Sequence, residues 1–219
     1  MKRISKKIIG ILTLILILIL SINIVKGQSS VTNSARFGIK GGVNLSNMFT
    51  KDVTDKNTII GFNGGLFLKM PLSSNFAFQP ELIYTTKGSE LDYNSFVSGR
   101  ARFSLSYFEL PLLAVINLTE NINIHGGVYV AALSNVSIKN KSDINLFNFE
   151  SELTKSDFEK YDYGLVGGAG FDFDKIGLGV RYDYGLKSVG KDRSFLGQSY
   201  RFPDGRNSTL QLYLAISFL

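Results

Sequence analysis

His125 is the only histidine among the 219 residues, and there is no cysteine. That excludes thiol catalysis, disulfides, cysteine-ligated zinc, a lipid-modified N-terminal cysteine and multi-histidine metal centres. A lone histidine can still serve as general base for a Ser or Thr nucleophile. No such partner is identifiable for His125, which shares an alternating run with Asn123 and Gly127, so a hydrogen-bonded structural histidine is expected. Asp172 and Asp174 flank a short turn at Lys175. Two carboxylates there could hold a cation, but the further oxygen ligands it needs are not visible, and a solvated turn is expected. The other chemistry-bearing residues are strand charges: Lys40, Glu81, Glu109, Arg181 and Asp183, with Lys69 and Lys87 nearer strand ends. Parity puts each on the face opposite an apolar stripe. Unpaired buried ions cost several kcal/mol, so these residues are expected to form a salt-bridge network that plugs an interior rather than lining a conduction path.

The elements that would position them are strands. Leu210, Leu212, Leu214, Ile216 and Phe218 alternate with Gln211, Tyr213, Ala215 and Ser217. Leu178, Val180, Tyr182, Tyr184 and Leu186 alternate with Gly177, Gly179, Arg181, Asp183 and Gly185. Period-2 runs of this length read as strands with one apolar face. Eight follow, near 36–48, 58–70, 75–87, 103–118, 122–134, 161–174, 176–187 and 208–218. The connections alternate: short at 71–74, 119–121 and 175, long at 49–57, 88–102, 135–160 and 188–207. That rhythm fits an up-and-down barrel with brief periplasmic turns and longer outside loops. Pro80 and Pro111 fall inside strands of a closed sheet, which predicts a bulge or broken ladder at each.

The non-apolar face separates a membrane barrel from a soluble one. A face meeting water would carry many Lys and Glu; here Gly38, Gly42, Asn44, Gly61, Asn63, Gly65, Gly127, Ala131, Gly164, Gly168 and Gly170 dominate. Small residues suit the crowded inside of an eight-stranded barrel, whose interior side chains just fill. The apolar-face Tyr84, Tyr161, Tyr163, Tyr182 and Tyr184 fall near outer strand ends, and Phe37, Phe76, Phe78, Phe171, Phe173 and Phe218 near periplasmic ends. Two aromatic girdles are expected of a lipid-facing surface.

The formal charge of +6 points to nucleic acid until it is located. Lys2, Arg3, Lys6, Lys7 and Lys26 lie in the first 27 residues with no acid, leaving 19 basic against 18 acidic groups in the rest. No nucleic-acid partner is expected. Residues 1–27 read as a signal peptide: a basic start, an apolar run from Ile8 to Leu20 shorter than a membrane helix, and Gly27 before the expected cleavage at Gln28. Residues 28–35 read as a short linker and 36–219 as the barrel domain.

FGIKGGVNLSNM at 37–48, FQPELIYTTKGSEL at 78–91, YFELPLLAVINL at 107–118 and GLGVRYDYGL at 177–186 resemble the PorT-like outer-membrane β-barrel family of Bacteroidota. The resemblance spans the mature chain in order: an opening G-x-K-x-G-x-N strand, a P-E-L-x-Y strand ending in K-G, and a Y-x-E-x-P strand. The last strand, LQLYLAISFL, resembles the assembly signal of barrel proteins, with its aromatic at Phe218 followed by Leu219. The resemblance implies fold and location more than activity; the family's prototype is implicated in protein secretion to the cell surface.

The sequence therefore predicts an all-β, eight-stranded antiparallel up-and-down transmembrane β-barrel in a bacterial outer membrane. It is expected to be non-enzymatic and to need no cofactor or metal, acting by anchoring or by surface binding through its outside loops. The alternatives are a secretion or gliding subunit, a lipid-modifying enzyme and, third, a small channel. Expected partners are outer-membrane lipid and lipopolysaccharide, the barrel assembly machinery during biogenesis, and envelope proteins. Arg100, Arg102, Lys191, Arg193, Arg201 and Arg206 in the outside loops could meet lipopolysaccharide phosphates. The 135–160 loop carries the opposite sign through Asp143, Glu150, Glu152, Asp157 and Glu159, and FESELTKSDF at 149–158 could form a short amphipathic helix.

Overall fold

The computed structural model describes residues 34–50, 56–94, 98–142, 158–190, 192–195, 198–201 and 205–218. The expected signal peptide, most of the linker, the 149–158 helix apart from Phe158, and Lys191 lie outside the described residues.

Eight long strands carry the fold: β1 Arg36–Thr50, β2 Ile59–Pro71, β3 Phe76–Asn94, β4 Ser98–Asn117, β5 Ile122–Ser142, β6 Tyr161–Phe173, β7 Ile176–Ser188 and β8 Gly205–Ser217. Each pairs antiparallel with the next. β1 pairs with β8 from Gly38↔Ser217 to Thr50↔Gly205, which closes the barrel. β1 starts, β8 ends and the three short turns fall at one end, the periplasmic end in this architecture. Pairs such as Leu212, Leu214 and Leu178, Val180 project outward and are 40–54% exposed, while the alternate Lys40, Asn44, Glu81, Arg181 and Gln211 are at most 5% exposed. A belt of bare Leu, Ile, Val and Phe around a polar inside reverses the order of a soluble core and requires lipid as the outer solvent. Tyr161 and Tyr163 stand exposed toward one rim, Phe37, Phe171, Phe173 and Phe218 toward the other.

Three strands outrun their expected ends. β3 continues seven residues past Lys87, β4 starts at Ser98 and β5 runs on to Ser142. Most of the expected 88–102 loop is therefore paired sheet, with Glu90↔Arg102 and Asp92↔Arg100 in register. The first residues of the 135–160 loop are strand as well. Alternation continues there, with Leu91 and Tyr93, Ala101 and Phe103, and Val136 and Ile138 between polar residues, but in β3 and β4 these apolar residues take the inward parity, so no outward apolar stripe marks the extension. Lys56–Asn57 adds a short strand against β3, and Asp192–Phe195 with Gln198–Arg201 form a hairpin inside the expected 188–207 loop.

At both prolines the ladder breaks without a register shift. β2 and β3 are paired at Phe67↔Glu81 and again at Met70↔Phe78, with Lys69 and Pro80 skipped between. β3 and β4 are paired at Pro80↔Leu112 and again at Ile83↔Glu109, skipping Pro111. Bulges lie elsewhere, between Ser106 and Tyr107 against β5 and between Arg206 and Ser208 against β7. Gly88 has a φ of 155° and its Cβ position is filled by the Phe103 carbonyl, so only glycine fits at this rung of β3 against β4.

Candidate functional site

The inward side chains form two layers. In the layer nearer the periplasm, the β3 carboxylate Glu81 is 2% exposed and accepts from four donors. Arg181 of β7 grips it with two nitrogens at 2.7 and 2.8 Å, Lys40 of β1 reaches it at 3.2 Å, and Gln79 donates at 2.8 Å. A fork-on-carboxylate contact is the strongest geometry open to such a pair. The Lys40 ammonium also stands 3.7 Å above the Tyr213 ring, a cation–π contact out of water.

The second layer lies toward the outside. The Lys87 ammonium bridges Glu109 of β4 at 2.5 Å and Asp183 of β7 at 3.1 Å, and lies 4.1 Å from the Tyr129 ring centroid. Gln211 donates to Asp183 at 2.7 Å. The Tyr129 hydroxyl (3.1 Å) and the Asn207 amide (2.8 Å) both donate to Asp162. The expected residues Lys40, Glu81 and Arg181 thus meet in one cluster, and Glu109 and Asp183 in the other. Lys87, expected near a strand end, is instead 1% exposed and central to its cluster because β3 runs on past it.

Several members escaped the sequence reading. Tyr107 and Tyr129 line the inside unannounced, beside Tyr213, which the alternation of the last strand already set opposite its leucines; Asp162 hides between the outward Tyr161 and Tyr163. Parity was the available signal: Tyr129 alternates with Val128 and Val130, and Tyr213 with leucines.

His125 is 6% exposed beneath the first cluster. Its Nδ1 is 3.3 Å from Asn123 Oδ1, and its Nε2 accepts from Arg181 Nε at 3.5 Å. Both ring nitrogens are thus engaged by an amide and a guanidinium. Asp172 takes Lys69 at 2.9 Å and Asn123 at 3.0 Å, while Asp174 forms the turn itself with a φ of 51°. Among the described residues no three His, Asp or Glu side chains converge as a metal-binding group.

Among the described residues an apolar cap lies outermost in the interior. Phe158 (0% exposed) bridges to Gly190 and lies over Phe103, with Leu105 and Val189 buried around it. Backbone bonds from Glu159 to Val189 and from Leu133 to Lys160 carry the pairing of β6 with its neighbours β7 and β5 outward past Tyr161, which sets Phe158 in this cap.

A comparison with curated proteins returns no match. Among solved structures, Ail of Yersinia pestis is 13% identical, covering 85% of this chain and 100% of its own, with a TM-score of 0.45. Neisserial surface protein A is 11% identical over 85% of this chain and all of its own, with a TM-score of 0.45. OprG of Pseudomonas aeruginosa is 11% identical over 84% and 93%, with a TM-score of 0.41. The sequence family described as "Outer membrane protein beta-barrel domain" matches residues 27–190, most of the chain. A closed, lipid-belted barrel carrying that match is an outer-membrane protein of a bacterium, and the chain belongs to the outer membrane protein beta-barrel domain family.

Proposed function

We propose that the protein works without chemistry, as a sealed barrel that anchors in the outer membrane and acts through what its ends present. The observation that carries this reading is the interior: Glu81, Arg181, Lys87 and Glu109 are each at most 2% exposed and spend their charges on one another. Groups locked in mutual ion pairs are not available to a substrate. The lipid-modifying alternative needs His125 to meet a hydroxyl, and its nitrogens are spent on Asn123 and Arg181. A strain carrying His125→Ala should keep the lipid A mass profile of its parent; a changed profile would restore the enzymatic reading.

A PorT-like role in secretion or gliding is the second reading, and one observation favours the subgroup. The residues of the three motifs are those of the inner clusters: Lys40 and Asn44 from the first, Glu81 and Lys87 from the second, Tyr107 and Glu109 from the third. The motifs are thus rules for filling this barrel, and they support the subgroup's scaffold without carrying its task. Purification from native membranes in mild detergent separates the readings. A lone barrel with bound lipopolysaccharide supports surface anchoring; a stoichiometric envelope protein supports a secretion subunit. The same sample reports the leader. Export with cleavage after Gly27 predicts the mass of a mature chain that starts at Gln28.

A further inference from the structure

The two ends of the barrel are built differently. Toward the outside the described interior ends in buried apolar side chains, Phe158, Phe103 and Val189. The end with the short turns holds two adjoining cavities that share Arg36, Lys69 and Asp172. The wider one, about 540 Å³, lies between the turns at 72–75 and 118–121. The inner recess, about 40 Å³, reaches past Gln79 to Asn123 and His125. The first volume falls within the range of small-ligand sites, while the second admits only a few atoms or waters.

The charges there are arranged unlike those deeper in. Lys40 and Glu81 are 2% and 0% exposed at their side chains, whereas Lys69 and Asp172 are 13% and 30% exposed. Lys69 has three N–H groups, and its contacts are Asp172 at 2.9 Å and the Asn117 amide at a long 3.4 Å. Arg36, exposed, lines both cavities and gives one nitrogen to the Asp174 carbonyl at 3.4 Å, while the carboxylates of Asp172 and Glu120 line the wider cavity beside it. A guanidinium fork matches a carboxylate with two parallel bonds. Behind it the amides of Asn75, Asn117 and Gln79 offer the donors and acceptors that a peptide backbone pairs with.

We propose that this periplasmic mouth is a binding site for the free α-carboxylate end of a short peptide. The carboxylate docks between Arg36 and Lys69, and the last peptide units lie along the side-chain amides. Such an end is offered by the tail of a periplasmic polypeptide or by the stem peptides of the cell wall, which share this chemistry and differ in the hand of the last residue.

The test uses the full barrel in nanodiscs and titrates acetyl-trialanine against its C-terminal amide. The carboxylate form should bind at least about tenfold more tightly, the scale of one charge-assisted contact. Arg36→Gln should weaken the acid about tenfold and leave the amide unchanged. Asp172→Asn, which removes the anion competing for Lys69, should tighten it several-fold. Lys187→Gln, at the opposite end, should change nothing. Opposite signs at Arg36 and Asp172 are not expected of a merely structural role, and an unboiled gel band reports that each variant still closes. A final D-alanine that binds better assigns the site to wall peptides, and a preference for L-alanine assigns it to protein tails. Equal affinity for acid and amide, an Arg36→Gln protein that binds as the parent does, or no binding at millimolar peptide overturns the proposal.

Discussion

At the scale of single residues the governing fact is that Glu81 answers two cations, Arg181 and Lys40, in a space closed to water. Removing one member of a buried charge group costs more than the group contributes, because the others stay desolvated and unpaired. Glu81→Leu should therefore lower unfolding stability in detergent by about 3–5 kcal/mol, read from denaturant midpoints. Replacing all three, with Lys40→Met, Glu81→Leu and Arg181→Leu, should recover most of that loss, since no ion is then stranded. A triple variant as unstable as the single one would mean that the bonds themselves hold the barrel. Parity made Lys40, Glu81 and Arg181 legible in the sequence as inward charges. It did not make their partnership legible, because β1, β3 and β7 are joined only through the closed barrel and |i−j| separations of 41 and 100 leave no local trace.

At the scale of strands, Pro80 and Pro111 act as adjacent interruptions. The two skipped stretches leave Leu68 and Lys69 opposite Pro80 and Gln79, and Glu81 and Leu82 opposite Pro111 and Leu110, outside the regular ladder. A missing N–H should make the flanking amides open more readily than those in continuous ladder. Hydrogen exchange on the refolded barrel should show Lys69 and Leu82 exchanging at least about tenfold faster than Phe62 and Leu66. Uniform protection along β2 would contradict the gaps. Sequence alone placed the prolines in strands and could not say whether the chain would bulge or merely skip, because both keep the alternation readable on either side. The overlong ends of β3, β4 and β5 were hidden for a different reason. There Glu90, Asp92, Arg100 and Arg102 take the parity that the apolar stripe holds lower down, and Leu91, Tyr93, Ala101 and Phe103 the other, so the alternation runs on with its faces exchanged and reads as the end of the stripe.

The whole molecule behaves as three barriers in series, and the last prediction belongs to their sum. Entering from outside, an ion meets first the cap of Phe158, Phe103 and Val189, then the Lys87 layer, then the Glu81 layer. Only the first is apolar packing; the other two are charge groups whose members hold one another across opposite walls, β3 to β7. An eight-stranded barrel has an interior that side chains just fill, so neither layer can part without breaking ion pairs already out of water. The parent protein should give no stable unitary conductance in planar bilayers. Phe158→Ala should remain silent too, since it opens the cap and leaves both charge layers intact. Steady conductance from the parent would show a path through both layers and would return the small-channel reading, while conductance from Phe158→Ala alone would place the seal in the cap. The eight strands, their order and the outward belt could be read because lipid imposes one strict rule on every second residue. The cap could not, because Phe158 gains its partners only where 158–160 crosses to Val189 and Gly190, a contact that no periodicity encodes.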